Sequence, residues 1–130
     1  MIDTNVYNYL KGESTIIAVS GQRIYNGILK EKSTYPAITF RATDHDIDYS
    51  FDGVSDFARS DYFIDAWGAN VTAADSLAKI IRDAMKDLSG SFGGITVDSI
   101  QITMGPLPVF ENSVKAWRVT QIFSIWNSEV

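Results

Sequence analysis

The sequence predicts an α+β fold: a mostly antiparallel sheet with one long helix packed on a face and short N-terminal helices. Three observations carry that expectation. Several segments alternate apolar and polar residues with a period of two. One segment, Ala73 to Leu88, repeats its apolar residues at helical spacing. The elements then run α, α, β, β, β, α, β, β, with strands in consecutive groups on either side of that helix.

From the N-terminus, Asp3 to Lys11 reads as a short helix, with Val6, Tyr7 and Leu10 on one face and Gly12 at its stop. Ser14 to Val19 starts like a second one and ends at Ser20-Gly21. Arg23-Ile24-Tyr25 begins a strand that the turn pair Asn26-Gly27 breaks. In "YPAITFRAT", Ile38, Phe40 and Ala42 alternate with Thr39, Arg41 and Thr43, and Pro36 fits the start or edge of a strand. "RSDYFIDAWG" puts Tyr62, Ile64 and Ala66 on one face and Phe63 and Trp67 on the other, so both faces are expected to be partly covered. The long helix carries the stripe Ala74, Leu77, Ala78, Ile81, Met85 and Leu88. Thr72 with Asp75 resembles a capping box, and Gly90 marks the end. In "ITVDSIQITMG", Ile100, Ile102 and Met104 share a face. In "VKAWRVTQIFSIW", Trp117, Val119, Phe123 and Ile125 share a face, with Gln121 the exception. Gly105-Pro106-Leu107-Pro108 between them reads as a turn or a stiff extended excursion.

The 130 residues fit one domain, 1–130, with a core large enough to fold without staples. The absence of cysteine excludes disulfide frameworks, thiolate metal sites and thiol nucleophiles. The N-terminus does not read as a signal peptide, and no apolar run approaches the roughly 20 residues of a membrane helix, so no membrane partner is expected. A cytoplasm-like compartment, or a particle assembled there, is the expected setting. Net charge is −5, from 11 basic and 16 acidic residues. That balance lacks the basic footprint of phosphate-backbone binding, but it is compatible with a surface that DNA passes without sticking.

The most chemically loaded stretch is "ATDHDIDYSFDGVSD", Ala42 to Asp56, read as a loop spanning Asp44 to Ala58 between two strands. It holds Asp44, Asp46, Asp48, Asp52 and Asp56, with His45, Tyr49 and Phe51 among them. The alternating acids suggest a calcium loop, which needs glycine at position 6 and glutamate at position 12. Counting from Asp44, those positions hold Tyr49 and Ser55, so the calcium reading lacks its two defining residues. His45 is the only histidine, too few for an ordinary zinc site, and reads as a solvated side chain whose charged form the acids favour. No nucleophile elbow, P-loop or dinucleotide fingerprint is present, and "SGSFGG" follows a helix where a phosphate cradle would open one. The expectation is therefore no enzyme, no cofactor and no dedicated metal site. Core packing accounts for Trp67 and Trp117, and Trp126 is a candidate for a partner surface.

Four segments in order, "RIY" at Arg23, "YPAITF" at Tyr35, "FIDAWG" at Phe63 and "AADSLAKIIRDAM" at Ala73, make the chain resemble a known family. It is similar, from about Val6 to Ile125, to the tail-completion proteins of long-tailed bacteriophages (siphophages), also called tail-terminator or tail-to-head joining proteins. The resemblance implies a small α+β virion subunit, assembled in the host cytoplasm and resident at the tail–head joint. It further implies a hexameric ring of copies of the chain on the last ring of the tail-tube protein, docking a head-connector or stopper protein, with the genome passing through its centre. The segment between the central strands is expected to meet neighbours. Asp44, His45, Asp46, Asp48, Tyr49, Phe51, Asp52 and Asp56 are thus the candidate interface loop, and Arg59, Lys115 and Arg118, with Lys79, the candidate basic counterparts. Two alternatives stay open: a neck or head-completion adaptor, and a small divalent-ion-binding domain using residues 44–56.

Overall fold

The structure, a computed structural model, describes residues 2–29, 34–50 and 53–128; at 44–50, 53–58 and 128 it describes the backbone alone. The first helix, α1 (Asp3–Gly12), buries Val6 and Leu10, four apart on one face. Glu13 leaves the helix with extended dihedrals, and its N–H closes the end on Tyr9 O at 3.1 Å. Helix α2 (Ser14–Ser20) buries Ile16 and stops at Gly21, whose φ of 60° suits a residue without Cβ. Strand β1 (Ile24–Asn26) lies parallel to β2 (Ala37–Ser50), which pairs antiparallel with β3 (Gly53–Gly68). Helix α3 (Val71–Met85) follows, then β4 (Gly90–Phe92), β5 (Ile95–Glu111) and β6 (Ala116–Ser128). The sheet order is β1-β2-β3-β6-β5-β4, and every pairing except β1 with β2 is antiparallel.

The three helices share one core with one face of the sheet. Val6, Leu10 and Ile16 meet Phe40, Tyr62, Ile64, Phe123 and Ile125 there, together with Leu77, Ile81 and Met85 of α3. Full burial of each such chain stabilises by roughly 1.5–3 kcal/mol, so packing, far more than propensity, fixes α3 on the sheet. Two polar ties reach across this core. The Tyr62 hydroxyl donates to Asp3 at the start of α1. Gln121, the polar residue on the apolar face of β6, donates to Ala78 O at 3.0 Å and accepts from Arg82 Nη1 at 3.1 Å. A second, smaller cluster of Leu29, Ala37, Trp67 and Ala116 lies at one end of the other face, so both faces of β3 are indeed covered there.

Five sequence expectations change. The presumed loop over 44–58 is strand at 44–50 and 53–58: β2 runs to Ser50 and β3 starts at Gly53, with pairs such as Asp44–Asp61, Asp46–Arg59 and Tyr49–Val54. Cross-strand pairing overrides the low strand propensity of aspartate. The cap of α3 is Asn70, whose side chain accepts from Ala73 N at 2.8 Å, in place of Thr72. The helix ends at Met85, before Leu88, because Asp87 turns to φ 58° and gives its N–H to Ile100 O. Gly105-Pro106-Leu107-Pro108 is extended, one of its two expected readings, but stays within β5 instead of separating two strands, as an irregularity in its pairing with β6. A register shift between Ile102 and Met104 pairs Met104 with Ile122, turning it from the core face to the opposite one.

Candidate partner-binding face

The sheet face away from the helices is built by the same period-two alternation that fills the core. Three rows cross it. Ala37, Trp67, Arg118 and Val109 form the first, and Thr39, Asp65, Thr120 and Leu107 the second. Arg41, Phe63, Ile122 and Met104 form the third. Thr39, Asp65, Trp67 and Arg118 of the first two rows, with Arg41 of the third, Gly27 to Leu29, Glu111, Ser113 and Val114, line a cleft of about 310 Å³. Tyr35 bridges part of its edge by donating to Val114 O at 3.4 Å.

Arg118 organises the cleft. Its Nε and Nη2 each lie 2.8 Å from Glu111 Oε1, its Nη1 donates to Thr120 Oγ1 at 3.1 Å, and the same nitrogen is 3.7 Å from Asp65 Oδ2. The Asp65 side chain is only 9% exposed, and its Oδ1 has no hydrogen-bond partner. Burial pushes its pKa up, against the opposing pull of the Thr120 hydroxyl and of Arg118 and Arg41. Trp67 closes the floor, its indole N–H donating to Thr39 Oγ1 at 2.9 Å. Arg41 lies 4.3 Å over the Phe63 ring. Two guanidiniums and two carboxylates therefore balance in this cleft, with one carboxylate acceptor unfilled.

Towards the acidic ends of β2 and β3, Asp61 accepts from Ser124 Oγ at 2.6 Å and lies 3.5 Å from Arg59 Nε. Arg59 also sits 5.9 Å over the Trp126 ring, so the half-buried Trp126 is engaged within the chain.

The sequence-predicted residues divide accordingly. Asp44, His45, Asp46, Asp48 and Tyr49 lie on β2 and Asp56 on β3, in an antiparallel arm, while Phe51 and Asp52 fall outside the described residues. The register sets Arg59 opposite Asp46. Arg118 belongs instead to the Glu111–Asp65 cluster, and exposed Lys115 stands in the β5–β6 turn, at the other end of the sheet from the acids. Lys79 is exposed on α3, so of the four proposed counterparts the strand register brings Arg59 to the acidic arm. Sequence reasoning missed Asp65, Glu111 and Arg41; the available signal was Asp65 itself, a lone acid inside the apolar strand "FIDAW". Among the described residues, no three His, Asp or Glu side chains gather as metal ligands, and no helix is long and apolar enough to cross a membrane.

The chain matches a family model described as tail completion protein gp17 over residues 4–127. Among solved structures, it is similar to a chain of a particle titled "Virion of native gene transfer agent (GTA) particle". The two share 14% identity at a TM-score of 0.71, over 95% of this chain and 91% of that one, a likeness of fold. No curated protein sequence matches it.

Proposed function

Because the chain belongs to the tail completion protein family and is thereby a structural protein of a phage-like tail, we propose that it caps the head-proximal end of the tail tube as a ring, a hexamer, and forms the joint to the head connector. The family match across nearly the whole chain carries this reading. Its partners are further copies of itself, the tail-tube protein and the connector or stopper protein, and it works by binding alone, without catalysis. The acidic arm formed by the ends of β2 and β3 reaches away from the β5–β6 turn and meets an adjoining subunit. An excess of acids over bases lets DNA traverse the ring without adhering.

Complementation tests the reading. Purified protein is mixed with tails made without it and then with heads. The expected result is protein at the head-proximal tail end by electron microscopy and restored head attachment. Tails that stay bare at that end overturn it. A neck adaptor would instead bind heads first and leave isolated tails unlabelled.

A further inference from the structure

We propose that neighbouring copies join through an apolar side-chain contact in which the β5 segment Met104–Phe110 of one copy seats on Ile28, at the rim of the Asp65 cleft, of the next. This rests on the ring reading above. Ile28 is 86% exposed and directly follows β1 and Gly27, on one edge of the sheet. Met104, Leu107 and Phe110 are 36%, 49% and 43% exposed and lie near the opposite edge, where β4 covers β5 only at Ile95–Val97. Ile28 at one edge and Met104 and Leu107, on the face away from the helices, at the other, with Phe110 beside Trp117 on the opposite face, make a head-to-tail contact, the kind that closes into a ring when the rotation fits.

Two further observations select this pairing. Pro106 and Pro108 have no N–H to offer, so an added strand gains little on β5 there and the contact falls to side chains. The segment from Met104 to Phe110 carries no charge, which matches a cleft whose two arginines and two acids already balance. Height along the strands also agrees. Leu107 pairs with Thr120, Thr120 with Asp65, Asp65 with Thr39 and Thr39 with Tyr25 of β1. Copies rotated about an axis along the strands therefore bring Leu107 to the level of the cleft without sliding.

The cysteine-free chain allows a direct test with Ile28→Cys and Leu107→Cys. The two single variants are oxidised separately and mixed, in concentrated solution. Mixed variants should form inter-copy disulfides about tenfold faster than either alone, because a preformed contact raises the effective concentration of the two thiols. The double variant should give a ladder of covalent multimers. Cross-linking no faster in the mixture, or fastest for Leu107→Cys alone, overturns the assignment; the latter would mean a symmetric β5–β5 contact. The wild-type protein is assayed on tails in parallel. Labelled tails without preferential cross-linking remove only this interface, whereas preferential cross-linking with bare tails removes only the tail-cap reading.

Discussion

Asp65 is the residue whose environment most constrains the candidate face. Burial raises its pKa, so the folded protein holds this proton more tightly than the unfolded chain does. The stability it contributes is complete below the ordinary carboxylate value of about 3.9 and is lost as pH rises through the raised folded value. Asp65→Asn should therefore gain stability relative to wild type across that interval, measured as the difference in urea midpoint against pH. A difference that stays constant from pH about 3 to about 7 contradicts the burial argument. Gln121 offers a second check, since its bonds to Ala78 and Arg82 tie β6 to α3 inside the core. Gln121→Ala should destabilise by about 1–3 kcal/mol in urea unfolding, through the lost bonds and the buried partners left behind. Gly105→Ala should also destabilise, because a Cβ there meets Thr120 O at 2.5 Å with φ at 104°. Sequence periodicity placed Gln121 on the apolar face correctly. It could not say what the amide reaches, because Ala78 and Arg82 lie 43 and 39 residues away.

The elements were most legible where one face is buried and least where both are wet. The cores of β2, β3, β6 and α3 follow from period two and period 3.6, since a one-residue slip would expose each apolar set. The ends of β2 and β3 gave no such signal. Aspartate disfavours strands, so "DHDIDYSFDGVSD" reads as a loop, although its described residues, 44–50 and 53–56, belong to an antiparallel arm. The α3 cap shows a narrower failure: Thr72-Ala73-Ala74-Asp75 matches a capping pattern, but Asn70 holds the Ala73 N–H. Asn70→Ala should cost about 1 kcal/mol and Thr72→Ala much less, by thermal or urea unfolding. Equal costs would return the cap to Thr72. The acidic arm is tested by replacing Asp44, Asp46 and Asp48 together with asparagine. Binding to tails should weaken or lose its salt dependence, and unchanged binding at low and high salt would remove the arm from the interface.

At the scale of the molecule, a helix-covered sheet face holds the core while the opposite face presents balanced charges, exposed apolar residues and an unfilled buried carboxylate. The fold class and the family were readable from the sequence, because both rest on strand and helix patterns spread along the chain. The cleft was not, because Asp65, Arg118 and Glu111 meet only through the β3–β6–β5 pairings. The sheet carries an acidic arm at one end and exposed apolar residues at two edges. The most direct measurement is electron microscopy of tails assembled without this protein and then incubated with it. The account predicts a ring at the head-proximal end alone, followed by head attachment. Density along the tube, or none at that end, would contradict it.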